Sequence, residues 1–264
     1  MGVFLSELTW QEAKEAFQRT QTVLIPVGST EQHGPHLPLG ADWIEADAIA
    51  KAVTERADVI TTHVVPVGIS EHHMDFPGTL TITREHFRNF MMDICESLIR
   101  WGAGRFIFIN GHGGNVDALS EIALTLRTKY GALSAILQWY ELIPLFNGQP
   151  TMQHGGYGEI ALVAAAKPSL VKYDKAQLDP QKLVTENIIA DLDHFTFKGG
   201  VIRTFLRTKD VSLIGSMKEQ PADVEEADLK SATPEVGHKL LKSLVDLIVE
   251  FLKEFNRVDF GPTG

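Results

Sequence analysis

Gln21-Thr-Val-Leu-Ile-Pro-Val27 is an apolar run that stops at Gly28, the signature of a short strand buried on both faces. Residues 43–57 follow it with apolar Ile44, Ala48, Ile49, Ala52 and Val53 on one helical face, and Asp42 stands where an N-cap would. A second strand is expected at 58–67. Strand, glycine turn, helix and strand again is the unit from which parallel sheets are built.

The same alternation continues. A polar loop over 68–83 leads to a helix over 84–102, with Phe87, Phe90, Met91, Ile94, Leu98 and Ile99 at helical spacing. A strand at 105–109, a helix at 116–130, a strand at 133–139 and an alanine-rich helix at 157–166 closed by Pro168 complete the regular part. This order predicts an α/β fold with a mostly parallel sheet covered by helices on both faces. Residues 181–194 read as helical, 199–220 as two short strands or an irregular excursion, and 234–256 as an amphipathic helix through Val236, Leu240, Leu241, Leu244, Ile248 and Leu252. No repeat or linker marks a second unit, so residues 1–264 are expected to form a single domain.

Composition narrows the function. The 264 residues carry 34 acidic and 24 basic side chains, a formal charge of −10, without a Lys/Arg block. Nucleic acid is a poor partner for such a surface, because phosphate contacts dominate that affinity. No apolar run approaches the roughly 18 residues of a membrane span, and Met1–Trp10 lacks the basic and apolar regions of a secretory signal. The lone cysteine, Cys95, falls among apolar neighbours in the 84–102 helix and reads as a buried structural thiol in a reducing, cytoplasmic setting.

Three glycine-rich turns carry the chemistry. They are Glu31-Gln-His33-Gly-Pro-His36 with Asp42 behind it, Asn110-Gly-His112-Gly-Gly-Asn115, and His154-Gly-Gly-Tyr-Gly-Glu159. In a parallel sheet, ligands bind beyond the carboxyl ends of the strands, and all three turns fall there. Glu31, His33, Asp42, His112 and Glu159 together offer two imidazoles and three carboxylates, a donor set suited to a pair of divalent transition ions. Glu31 and His33 are two apart, so an extended backbone points them to one side. Asp42 is placed to bridge two cations, although a helix cap is the simpler role. Glu159 gains from a helix N-terminus in any case, and the Asn110 turn could cradle an oxyanion without metal. His154 is left over as a general acid/base. Gly113, Gly114, His73 and Tyr140 are the candidate substrate contacts, the two glycines offering backbone N–H groups to an oxyanion. His36 and His72 lie in turns near the site, whereas His63 is read in a strand and His86, His194 and His238 on helices.

These motifs, with Phe76-Pro-Gly-Thr79 between the first and second, resemble the creatininase family of metal-dependent amidohydrolases. The resemblance implies a three-layer α/β/α sandwich, a dinuclear centre of Zn with Mn or Fe as alternatives, and a homohexamer acting on a small molecule. It places Glu31 and His112 on one ion and His33 on the other. Asp42 would bridge them, and His154 would transfer protons. Two departures separate this chain from the members that hydrolyse creatinine. They carry Glu two residues after the His of Asn-Gly-His, where Gly114 stands here, and other branches take that ligand from the later motif, here Glu159. They also carry a Trp four residues before the catalytic His, where this chain has Pro150. The expectation is hydrolysis of a C–N bond in a small cyclic or formyl-type amide by an ion-activated hydroxide. Its rivals are cleavage of a C–C bond in a cyclic diketone and a non-catalytic metal- or metabolite-binding protein.

Overall fold

Five parallel strands occupy the centre of the computed structural model, which describes residues 1–179, 182–216 and 226–260. The first half comprises β1 (Val3–Phe4), α1 (Trp10–Arg19), β2 (Thr22–Val27), α2 (Ala41–Thr54), β3 (Ile60–Thr61), α3 (Arg84–Arg100), β4 (Arg105–Asn110), α4 (Val116–Tyr130) and β5 (Leu133–Gln138). It continues with α5 (Trp139–Leu142), β6 (Leu145–Phe146), β7 (Gln149–Pro150) and α6 (Tyr157–Ala166). Then come β8 (Lys182–Thr185), β9 (Ile188–Ala190), β10 (His194–Phe197), β11 (Gly200–Arg203), α7 (Thr208–Val211), α8 (Glu226–Lys230) and α9 (Pro234–Phe255).

The central sheet runs β1-β3-β2-β4-β5, every neighbouring pair parallel. Its inner strands are apolar on both faces. Leu24, Ile107 and Ile109 pack with α2, α6 and α9, whereas Val23, Ile25, Phe106 and Phe108 pack with Phe87 and Met91 of α3 and with Leu119 and Ile122 of α4. Each such side chain contributes roughly 1.5–3 kcal/mol on full burial. This is the expected three-layer α/β/α sandwich. Helices α6 and α9 touch backbone to backbone at Gly237, where a Cβ would lie 1.8 Å from the Ala161 carbonyl oxygen. No helix among the described residues is long and apolar enough to cross a membrane.

Strand order positions the site. From β2 the chain passes through α2 to β3 on one side, then crosses through α3 to β4 on the other side of β2. The order reverses there, so the loops after β2 and β4 part and open a crevice at the carboxyl edge of the sheet.

Four local expectations are corrected. Residues 182–194 are not a helix: β8 and β9 form a hairpin around Glu186-Asn187, and His194 opens β10. Leu183, Val184, Ile188 and Ile189 satisfy helical spacing as well as strand pairing, and β-branched Val184, Thr185, Ile188 and Ile189 tip the balance to strand. Residue 181 lies outside the described residues, as do 217–220 of the 199–220 stretch, which otherwise holds β11 and α7. Of the strand expected at 58–67, only Ile60–Thr61 is regular; Val65 pairs singly with Val27, and His63 sits in the connection between them. Asp42 is not an N-cap, because α2 already starts at Ala41 with Gly40 before it.

Candidate metal centre

The loop after β2 is held at several points. Glu31 N–H donates to the Leu39 carbonyl at 2.8 Å and Leu80 N–H to the Thr30 carbonyl at 2.8 Å. Gln32 N–H donates to Thr79 Oγ1 at 3.3 Å, so the Phe76-Pro-Gly-Thr79 turn braces the stretch that carries Glu31 and His33. His36 Nε2–H donates to the Gly155 carbonyl at 2.7 Å and ties this loop to the third motif. Asp42 stands in the first turn of α2, after Gly40, and its carboxylate reaches His33 and His112.

All five expected donors are buried and converge. Asp42 lies between the two imidazoles: its Oδ1 is 2.7 Å from His33 Nε2 and its Oδ2 is 3.3 Å from His112 Nδ1. On the His112 side, Nδ1 is also 3.2 Å from Glu31 Oε1. On the His33 side, Nε2 is 3.8 Å from Glu159 Oε2, which itself accepts Gly155 N–H at 2.6 Å. Two donor groups thus share one carboxylate.

Backbone carbonyls aim both rings. His33 Nδ1–H donates to the Glu31 carbonyl at 3.1 Å, and His112 Nε2–H donates to the Ile69 carbonyl at 2.9 Å. Each ring therefore turns its other nitrogen to the carboxylates, the arrangement that orients metal-ligating histidines. His154 also falls within ligand distance of these groups, as does His73. Ring geometry separates His154 from the donors. Its ring stacks on His33 (centroids 4.4 Å apart, planes at 26°) and on His73 (4.7 Å, 15°). An imidazole lone pair lies in the ring plane, so near-parallel stacked rings do not converge on one ion. His154 Nε2–H is held by the Gln32 carbonyl at 2.8 Å, leaving Nδ1 turned toward Glu31 Oε1, 4.0 Å away.

The electrostatics of the cluster favour cations. Burial opposes a charge on His33, yet Asp42, Glu159 and Glu31 raise its pKa to about 10. Burial is likewise overcome at His112, held well above its ordinary value by Glu31 and Asp42. Burial would raise Glu31, but His112 and His73 hold it well below the usual carboxylate range. Burial lifts Glu159 to about 7, with His33 opposing and Asp42 adding. Protons on His33 and His112 thus stand where positive charge fits, and the nitrogen and oxygen donors suit divalent ions chemically. His154 is the opposite case: burial, then the neighbouring His33 and His73, hold it well below its ordinary value, which favours the neutral ring. Burial and His73 bring His72 down to about 3, and burial pushes the Cys95 thiol up to about 12.

The four expected substrate contacts separate. Gly113 is exposed and adjoins the Tyr140 hydroxyl, 3.5 Å from where a Gly113 Cβ would stand. His73 is buried, its Nε2 3.2 Å from Glu31 Oε1. Gly114 faces inward, and a Cβ there would lie 2.3 Å from the Ile69 carbonyl oxygen and 2.5 Å from His112 Nε2. Gly114→Ala should therefore displace the carbonyl that aims His112, destabilise the fold by about 1–3 kcal/mol and weaken metal binding. Thermal melts and a metal titration of the variant check this.

Several side chains of the site escaped sequence reading. Ser70 Oγ–H donates to Glu31 Oε2, and the amide of Gln32 reaches His73, His154 and Gly215. Period-two alternation between Glu31 and His33 did point Gln32 to the opposite side. Glu45, one turn beyond Asp42, is pushed well above the carboxylate range by burial and by Glu159 and Asp42, which makes it a neutral acid.

Comparison with known proteins identifies the family and the fold. The profile of the creatininase family, described as creatinine amidohydrolase, matches residues 6–252. The mycofactocin precursor peptide peptidase of Mycolicibacterium smegmatis is 38% identical over 130 residues, 47% of this chain and 52% of that protein, so the match spans about half the length of that relative. The creatinine amidohydrolase of Pseudomonas putida is 30% identical over 196 residues, 66% of this chain and 75% of that protein. A solved structure of a creatininase variant complexed with creatine superposes with a TM-score of 0.75 at 24% identity, covering 99% of this chain and 100% of that one, a likeness of fold.

Proposed function

The chain belongs to the creatininase family, and we propose that it is a dinuclear-metal hydrolase that cleaves a C–N bond of a small cyclic or formyl-type amide, residues 1–264 acting as one catalytic domain. The observation that carries this is Asp42, with one carboxylate oxygen toward His33 and the other toward His112. Glu31, His112 and Asp42 would hold one divalent ion, and His33, Glu159 and Asp42 the other; Zn fits these donors, as do Mn and Fe. Such a pair lowers the pKa of water and polarises a carbonyl. His154, fixed through Nε2–H, accepts a proton at Nδ1 and passes it to the departing nitrogen. Gly113 and Tyr140 border the substrate at the opening. A second reading is supported by the relative named a peptidase, in which the same residues act on a peptide C–N bond.

Elemental mass spectrometry on protein purified without added metal or chelator tests the core of this. About two transition ions per chain are expected, and turnover should then appear in a screen of cyclic amides, formamides and short peptides. A protein that carries no metal, and regains none on reconstitution, would end the reading.

Metal uptake should also release protons. In the metal-free protein His33 titrates at about 10 and Glu159 at about 7, above their ordinary 6.5 and 4.5. A raised pKa gives stability that is complete below the ordinary value and lost as pH rises through the folded one. The His33 contribution to the metal-free fold therefore declines between pH 6.5 and about 10, while metal affinity rises over the same window. Calorimetry at pH 7 in buffers of different ionisation enthalpy should report about two protons released per chain, chiefly from His33 and His112.

A further inference from the structure

The edge of the sheet opposite the metal centre holds a second concentration of charge. A cavity of about 210 Å³ opens there, between the starts of β4 and β5, the ends of α3 and α4, and residues 258–260. Strands of six residues separate this edge from the loops that carry the metal motifs, a span of roughly 20 Å. Two guanidinium groups line the cavity, Arg105 from the first position of β4 and Arg127 from the last turn of α4. Arg105 Nη2–H donates to the Val258 carbonyl at 3.1 Å, and Arg127 Nη1–H donates to the Gly131 carbonyl at 2.9 Å. Phe260 lies over Arg127, its ring centre 5.7 Å from Cζ. A ring over one face of a guanidinium leaves the N–H groups, which point outward in its plane, able to bind.

Charge compensation sets these two side chains apart. Arg19, Arg56, Arg84, Arg203, Arg207 and Arg257 each pair with a carboxylate, and each is at least 45% exposed. Arg105 and Arg127 are half-buried, and among the described residues their hydrogen bonds reach backbone carbonyls and neither forms an ion pair with a carboxylate. Arg105 Nε is buried and meets no acceptor there. A partly desolvated cation without a counter-charge is unfavourable, and this chain has 34 acidic side chains from which one could have been drawn. Holding a carbonyl accounts for one N–H group of each fork. It does not account for two forks on one cavity. Asp259, which is exposed, also lines the cavity, so its carboxylate competes with any anion that enters.

We propose that this cavity binds a small oxyanion, a carboxylate or a phosphate, between the forks of Arg105 and Arg127. Guanidinium matches both groups with paired N–H donors, and partial burial strengthens the attraction over that in open water. The volume falls below the roughly 300 Å³ at which sites for drug-sized ligands begin, which favours a small anion over a nucleotide. The site lies apart from the metal centre and does not rest on the hydrolytic reading.

Calorimetry on the protein as purified tests this, with inorganic phosphate and benzoate titrated separately and ionic strength held constant with chloride. The expected result is saturable binding of at least one of them, weakened about tenfold or more in Arg105→Gln and in Arg127→Gln. Tighter binding of benzoate assigns the site to carboxylates, and tighter binding of phosphate assigns it to phosphates. Asp259→Asn should bind at least as tightly as wild type, and a loss there would overturn the proposal, because an acid does not hold an anion. No saturable binding, or wild-type affinity in both arginine variants, would overturn it as well, the latter by placing the anion elsewhere. Wild-type crystals soaked in selenate or bromobenzoate need no variant. An anomalous peak between the two guanidinium groups is expected; a peak confined to the metal centre, or none, would refute the site even if the arginine variants failed to fold.

Discussion

Asp42→Ala is expected to strip both ions from the protein at once and to reduce turnover to background. No other donor among the described residues spans the two groups: Glu31 faces His112, Glu159 faces His33, and among them Asp42 alone addresses both imidazoles. The substitution also leaves two buried imidazoles, both held charged in the metal-free fold, without their shared counter-charge. Removing one partner of a buried ion pair costs about 3–5 kcal/mol, so the alanine variant should melt well below wild type. Asp42→Asn keeps the shape and separates the two effects, since it should fold and still bind little metal. Metal content and melting temperature, measured together on both variants, decide the matter. Retention of one full equivalent in Asp42→Asn would show that the carboxylate serves a single ion.

His154→Ala should give the complementary outcome, full metal content with kcat reduced ~10²–10⁴-fold, the usual contribution of a positioned acid/base. The reason lies in the ring planes. His154 is stacked on His33 and His73 and not splayed toward a point that they share, and its Nε2 is committed to the Gln32 carbonyl. Loss of the ring removes the proton carrier and leaves every proposed ligand in place. If elemental analysis found this variant empty, His154 would be a ligand and the division of roles would be wrong.

The central fold was legible because its signals are local. A strand such as Thr22–Val27 or Arg105–Asn110, buried on both faces, has to be apolar along its length and has to end where the crevice begins. Glycine turns after such strands mark the ligand edge, and this brought residues 31 and 159 to one place without any knowledge of contacts. The antiparallel sheet was not legible, because its strands are short and largely exposed and their apolar residues fit two periodicities. Asp42 was assigned to the correct turn of the chain with an uncertain task, since a first-turn carboxylate serves a helix and a cation equally well until the ring opposite is visible. Ser70 carried no signal at all. A lone hydroxyl has no spacing to betray it.

On the reading proposed above, the protons on His33 and His112 make this centre an ion exchanger. Divalent cations and protons compete for the same nitrogens, with the same carboxylates as counter-charge in either state. On that reading the metal-free chain can fold around its own protons, and loading becomes an exchange within a finished cage. Mild acidification would run that exchange backwards and elute the metal from an intact protein.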